Sequence, residues 1–288
     1  MNSLKVSLLM IGMMLLLMWV GYYVGGQSGL VVAFVIAAVL NFATYWFSDK
    51  VVLRIYRARE VTSADHPRLH GIVNRVAQQA SLTVPPRVCV VPSRAPNAFA
   101  TGRSPDHAAV AVTEGLLELL NDEELEGVIG HEIAHITNKD MLIGTIAATF
   151  AGAIGILASI ARWGAIFGGL GRGDDNRGGG IGLLIAAIVA PLVALVLQMA
   201  ISRQREYKAD ARSGQITGRY LPLARALEKL HRAPVKMRLD DRPATAHLMI
   251  ANPLSGRGLS AIFSTHPPVE ERIARLERLA QRVPYTNV

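Results

Sequence analysis

Cysteine is almost absent from this chain, which has a single thiol, Cys89, among 288 residues. No disulfide can form within the chain, and a reducing compartment is consistent with that. A zinc site built from closely spaced pairs of cysteines is also excluded, because the chain has only one cysteine.

Charged side chains are absent from four long apolar stretches, Val6–Val24, Leu30–Phe47, Met141–Ala161 and Ile181–Ile201. Each stretch has 18 to 21 residues, and about 20 helical residues cross the core of a bilayer. The sequence therefore predicts four transmembrane helices in two hairpins. The three tryptophans lie at the ends of these stretches, as is typical of a membrane interface: Trp19, Trp46 and Trp163.

Two further absences concern these stretches. They contain no ionisable side chain, which argues against a transporter, because transporters place such groups inside the membrane. No small-residue cleavage site follows the first stretch, so it is expected to be a retained anchor rather than a signal peptide.

The net charge of +8 comes largely from basic residues that follow the second and fourth stretches. The positive-inside rule then places both termini and the segment between the second and third stretches in the cytoplasm. The predicted parts are a hairpin (1–47), a cytoplasmic part (48–140), a second hairpin with an external glycine-rich loop (141–201) and a cytoplasmic C-terminal part (202–288). The basic residues are not interleaved with aromatic residues, so no nucleic-acid partner is expected.

Hydrophobic periodicity predicts a mainly α-helical protein with a small β-sheet. The expected helices lie near residues 67–79, 220–232 and 268–282. Short strands are expected near residues 87–91 and 108–113.

The sequence does contain the pattern H-E-x-x-H, formed by His131, Glu132 and His135. Residues four apart share one face of a helix, with Cβ atoms about 5–6 Å apart, so both imidazoles can bind one zinc ion. The glutamate can then act as general base toward a water molecule activated by the metal. Asn121 and Glu124 form a capping-box pattern, which predicts that the motif lies on a helix.

A catalytic zinc ion needs a third protein ligand and one open position. The candidates after the motif are Asp140, Asp174, Asp175, Glu206, Asp210, His231, His247 and His266. Because the last two apolar stretches form a hairpin, Glu206 returns to the side of the membrane where the motif ends. It is therefore the predicted ligand, with a salt bridge to Arg203 or Lys208 as the alternative. Asp210 can accept a hydrogen bond from a ligating histidine. Asp140 is the weaker ligand candidate and is expected either to support a ligating histidine in the same way or to be a helix-end residue.

Four segments together resemble the HtpX-type membrane metalloproteases, which are gluzincins related to the CaaX prenyl proteases. They are Pro96–Gly102, His131–His135, Ser202–Asp210 and Thr265–Pro268. The resemblance covers nearly the whole chain and implies a membrane-embedded gluzincin fold. It implies one zinc ion per chain, held by His131, His135 and Glu206, with Glu132 as the base.

The resemblance also implies residues near the substrate. Asn97 would lie beside it, His266 would assist the oxyanion, and Arg272 would fix that histidine and the C-terminal helix. From the residues alone, His266 before two prolines is as compatible with a turn, and Asn97 with an ordinary loop.

The sequence thus predicts a membrane-tethered zinc endopeptidase. Beside the cytoplasmic face of a bilayer it would reach damaged membrane proteins or unfolded polypeptides, and the resemblance implies quality control and stress response in a bacterial inner membrane. The strand with Ala108, Val110 and Val112 is expected to pair with an extended substrate through its edge, with a place in the core as the alternative.

Two other functions compete with this one. A CaaX-type prenyl protease is disfavoured because its relatives have more membrane spans. A non-enzymatic membrane protein with a structural zinc is disfavoured because no fourth ligand with suitable spacing is evident. Whether copies of the chain assemble is left open by the sequence.

Overall fold

A computed structural model describes residues 2–142, 203–233 and 267–282 of the chain. The third and fourth predicted spans lie outside these residues, apart from the first two positions of the third. The same is true of the glycine-rich loop (164–182), His247 and His266. The described part is mainly helical, with one small sheet.

The first helical element, α1 (Asn2–Ile55), is a hairpin with a turn at Gly25 and Gly26. Gly26 has a φ of 59°, which favours glycine because it carries no Cβ. Two segments are long and apolar enough to cross a membrane, Val6–Tyr23 and Gly25–Phe47. These match the first two predicted spans, and the Asn41 side chain joins the two arms by donating a hydrogen bond to the Met10 carbonyl at 3.1 Å.

A four-stranded sheet follows, with strands β1 (Arg59–Glu60), β2 (Arg87–Val91), β3 (Ala98–Gly102) and β4 (Ala108–Thr113) in the order β1-β2-β4-β3. The β2 and β4 strands are parallel, whereas β1 and β3 pair antiparallel with β2 and β4, respectively. Helix α2 (Pro67–Gln79) provides the connection before β2, and the short helix α3 (Glu114–Leu119) follows β4.

The sheet is covered on both faces. On one face, Val52 and Leu53 of α1 and Tyr56, which directly follows α1, pack against Phe99 and its neighbours in the sheet. On the other face, α2 and helix α4 (Asp122–Thr137) form the main core. The side chains on both faces of its short strands are mostly apolar, as expected for a sheet that is buried on both sides.

Three helices complete the described part: α5 (Arg203–Thr217), α6 (Leu221–Arg232) and α7 (Val269–Arg282). Helix α4 packs closely on α5 and α6 because two of its contact positions are glycines. A Cβ at Gly127 would lie 2.7 Å from the Leu223 nitrogen, and one at Gly130 would lie 2.6 Å from the Ser213 hydroxyl. This close approach brings α5 beside the H-E-x-x-H motif.

The predicted helices and strands are confirmed for the described residues, but the role predicted for one strand is wrong. β4 is not an edge strand: β2 occupies one side of it and β3 the other. Ala108, Val110 and Val112 are also buried in the main core. They cannot pair with a substrate, and the edge strand next to β4 is β3.

Candidate metal centre

The H-E-x-x-H motif lies in the second half of α4, as the capping pattern predicts. The Asn121 side chain accepts a hydrogen bond from the Glu124 backbone at 2.9 Å, and the Glu124 side chain accepts one from the Asn121 backbone at 3.0 Å. This capping box fixes the start of the helix. His131 and Glu132 are then buried, and His135 is partly exposed.

Glu206 of α5 lies opposite the two histidines. Its carboxylate oxygens are 3.6 Å from the Nε2 atom of His131 and 3.6 Å from that of His135. The two Nε2 atoms are 3.2 Å apart. Among the described residues, these three side chains form a group that could hold a metal ion.

The separations between these three atoms fit a zinc ion. Two ligand atoms at about 2.1 Å from a tetrahedral ion lie roughly 3.4 Å from each other, close to the distances found here. Two imidazoles and one carboxylate are also a usual donor set for catalytic zinc, which leaves the fourth position open.

Asp210 determines which nitrogen of His131 is available. Its Oδ1 atom is 2.9 Å from the Nδ1 atom of His131, so Nδ1 donates to Asp210 and Nε2, which faces Glu206, is the nitrogen that can bind a metal. Burial opposes a charge on His131, but hydrogen bonds with Asp210 and Glu206 outweigh it and raise the pKa to about 9. Binding of a metal at Nε2 would therefore displace a proton.

A buried arginine on α7 holds Asp210 in turn. The Arg272 guanidinium donates two hydrogen bonds to the Asp210 carboxylate, at 2.8 and 2.7 Å, and its side chain is fully buried. Burial raises the pKa of Asp210, but the charge of Arg272 outweighs this effect and lowers it to about 2. Asp210 is therefore ionised and can accept hydrogen bonds from both neighbours.

Asp140 stands in a similar position beside the other histidine. Its Oδ2 atom lies 3.5 Å from the Nδ1 atom of His135, and Arg205 approaches its second oxygen at 4.0 Å. These distances are longer than those around His131. His135 is therefore held less tightly than His131.

Glu132 points toward the edge strand of the sheet. Its Oε2 atom accepts a hydrogen bond of 2.8 Å from the backbone N–H of Ala100 in β3. Burial raises the pKa of Glu132, whereas the charges of His131 and His135 act in the opposite direction. A buried carboxylate with a raised pKa is well suited to exchange a proton.

Three further residues were predicted to belong to the site: Asn97, Arg272 and His266. Asn97 is buried just before β3, where its backbone N–H donates to the Thr113 hydroxyl at 2.8 Å. Arg272 lies behind His131, with Asp210 as its main partner. His266 lies outside the described residues.

Sequence reasoning missed two contacts of the site. The Ala100–Glu132 hydrogen bond comes from a backbone group, which no side-chain pattern reveals. The Arg272–Asp210 ion pair joins two helices that are 62 positions apart. The only signal for it in the sequence was the amphipathic pattern of α7, which predicts a helix packed against the core.

Comparisons with known proteins agree on one family. Residues 63–280 match Peptidase family M48. The Protease HtpX homolog of Desulfatibacillum aliphaticivorans is 54% identical over 276 residues, which cover 96% of this chain and 89% of that protein. The Protease HtpX homolog of Pyrococcus furiosus is 50% identical over 285 residues, covering 97% and 96%.

The fold is also similar to a crystal structure, that of S. mikatae Ste24p, with a TM-score of 0.53 and 17% sequence identity. The match covers 95% of this chain and 64% of that chain. At this level of identity, the similarity concerns the fold alone.

Proposed function

The chain belongs to peptidase family M48 as a zinc metallopeptidase homologous to the HtpX proteases, and from this we propose that it is a membrane endopeptidase that cuts unfolded or damaged membrane proteins. The observation that carries the proposal is the convergence of His131, His135 and Glu206 beside Glu132. The ligand set leaves room for a reactant at the fourth position of the metal.

Zinc bound by these ligands would polarise the scissile carbonyl group and make water a better nucleophile. Glu132 acts as the general base: it takes a proton from the attacking water and passes it to the leaving amine nitrogen. Asp210 and Asp140 keep the two imidazoles oriented by accepting hydrogen bonds from their Nδ1 atoms. His266 is proposed to stabilise the oxyanion.

The edge strand β3 is the proposed platform for the substrate. β4 occupies only one side of it, and in the described part of the chain no strand pairs with the other side. An extended peptide can add to such an edge through backbone hydrogen bonds that do not depend on its sequence, once the Glu132 carboxylate releases the Ala100 N–H that it binds in this structure. Asn97 lies just before this strand and is proposed to contact the peptide.

Membrane proteins are the proposed substrates because the protease part is continuous with the helical hairpin α1. We further propose spans at residues 141–161 and 181–201, a cytoplasmic active site and a bacterial inner-membrane location. A protease of broad specificity in this position suits quality control and the response to stress.

The proposal is tested with the full chain purified in detergent and an unfolded membrane protein as the substrate. Cleavage should stop on chelation and return when zinc is added. The Glu132→Gln variant should keep its zinc and lose about 10²–10⁴-fold in rate, because the base is removed while the ligands remain.

Two controls complete this experiment. Glu123→Gln, on the same helix but far from the ligands, should cleave normally. A prenylated peptide serves as a second substrate, and its preferential cleavage would instead support a prenyl protease. Full activity of Glu132→Gln would refute the assigned base.

A further inference from the structure

The second arm of α1 extends beyond the membrane segment and becomes part of the protease. The candidate span ends at Phe47, whereas the helix continues to Ile55. The residues beyond the span, Val52, Leu53 and Tyr56, are buried against the sheet. The sheet is therefore attached to a membrane helix without an intervening linker.

One end of the edge strand β3 contacts this helix, and the other end contacts the turn that directly follows it. The ring of Phe99, near the start of the strand, lies 4.8 Å from the ring of Tyr56. The guanidinium of Arg103, just after the strand, lies 4.8 Å above the ring of Trp46. Because tryptophan at the end of a span marks the membrane interface, Arg103 lies at the level of the bilayer surface.

These contacts fix the direction of β3. Between Trp46 and the last residue of the helix, Ile55, the helix rises by about 14 Å, at 1.5 Å per residue, and Tyr56 follows directly. From Phe99 to Arg103 an extended chain covers about 14 Å. The two lengths agree, so β3 runs alongside the helix and toward the bilayer. A 2.8 Å ion pair between Asp49 of the helix and Arg87 of β2 also holds the sheet at this distance from the bilayer.

The same contacts fix the distance of the active site from the membrane. Ala100 donates its N–H to Glu132 at 2.8 Å, and the three residue steps of extended chain from Ala100 to Arg103 span about 10 Å. The length of the helix from Trp46 to its end at Ile55 gives about 14 Å. The catalytic carboxylate therefore lies about 10–15 Å from the bilayer surface.

We propose that the enzyme selects peptide bonds by their distance from a membrane span: it cuts segments that follow a span, about three to five residues beyond its end. This inference rests on the proposed function and on the addition of the substrate to β3. A distance of 10–15 Å corresponds to that number of extended residues.

The direction of the substrate follows from the direction of β3. Antiparallel pairing is the slightly more stable arrangement of two strands. Because β3 runs toward the bilayer, an antiparallel peptide runs away from it. Its N-terminal side is then at the membrane, so the span must precede the segment that is cut.

The test uses the full chain in lipid vesicles with two reporter proteins. Each reporter has one membrane span and the same unstructured segment of about 30 residues, roughly 100 Å when extended. In one reporter the segment follows the span, and in the other it precedes it. Mass spectrometry locates the first cuts, and a soluble unfolded polypeptide is digested in parallel.

Cuts that cluster near the span, mainly in the reporter whose segment follows it, support the proposal. Cuts spread evenly along the segment, or equal cutting of both reporters, would overturn it while leaving the protease function intact. If neither the reporters nor the soluble polypeptide is cut in a zinc-dependent manner, the proposed function itself fails.

The Arg103→Ala variant tests the contact with Trp46. It should digest the soluble polypeptide at the normal rate but cut the reporter over a wider range of positions, because the end of β3 is no longer held at the interface. Arg94→Ala, an exposed arginine just before the same strand, is the matched control and should keep the narrow range. An unchanged range in Arg103→Ala would overturn the role of this contact.

Discussion

The two halves of helix α4 both present polar side chains to the C-terminal helices, but they meet opposite partners. In the first half, Glu123 pairs with Arg225 at 2.9 Å and Glu124 pairs with Lys229 at 2.7 Å. In the second half, His131 and His135 face carboxylates instead. The first half therefore has its charges balanced within the protein, whereas the second half assembles lone pairs that suit a cation.

This difference separates stability from function along one helix. Changes in the first half should affect folding and leave zinc affinity unaltered. Changes in the second half, or in the residues that hold its histidines in place, should affect zinc affinity or the positions of the zinc ligands. The following substitutions test whether stability and zinc affinity depend on different halves of the helix.

The largest effect on stability is expected for Arg272→Met. Removing this guanidinium leaves the Asp210 carboxylate buried without its cation, which should cost about 3–5 kcal/mol. Thermal unfolding should be measured with a chelator present, so that metal binding does not contribute.

The matched control is Arg278→Met, on the same helix, since Arg278 is exposed. Its effect should stay within about 0.5 kcal/mol. Equal effects of the two variants would show that Arg272 does not support Asp210.

A smaller effect is expected for Asp140→Asn, which weakens the hydrogen bond to His135. Zinc affinity should fall by about 10–100-fold, as measured by competition with a chelator of known affinity. Asp122→Asn, at the opposite end of α4 and paired with Arg68 at 2.6 Å, should leave the affinity unchanged. A similar loss in both variants would erase the distinction between the two halves.

Asn121→Ala should destabilise the protein by about 1 kcal/mol, because it removes the N-cap acceptor of α4. Zinc affinity of the folded protein should not change. Asn121→Asp retains the acceptor and serves as the control in the same unfolding experiment. Loss of zinc affinity in Asn121→Ala would show that the two halves are coupled.

The smallest effect is expected for Arg219→Ala. Arg219 contacts Glu123 at 3.0 Å, where both side chains are substantially exposed, and it approaches the buried Glu126 only at 3.9 Å. Such a pair contributes only about 0–1 kcal/mol, and the effect should shrink further in high salt. A loss of stability in Arg219→Ala that does not depend on salt concentration would contradict this interpretation.

Local patterns were sufficient to predict much of this architecture. The capping box of α4, the amphipathic helices and the first two membrane segments each depend on residues close together in the sequence. The position of Glu206 beside the two histidines was also predicted, from the expectation that residues 141–201 form a hairpin.

Nonlocal pairing was not predictable in the same way. β3 is a short strand of small residues around Phe99, so it lacks the alternation that identifies strands. Because β3 was not predicted, β4 was expected to be an edge strand of the sheet. The stacking of Arg103 on Trp46 likewise joins distant segments, and only the folded chain reveals it.

The most direct test of the metal centre is the zinc content of the purified chain after dialysis, measured by mass spectrometry. The unchanged protein and Glu123→Gln should each retain about one zinc ion per chain. Glu206→Gln should retain far less, because one of three ligands has lost its charge. If Glu206→Gln binds as much zinc as the unchanged protein, with equal affinity, the assigned ligand set is wrong.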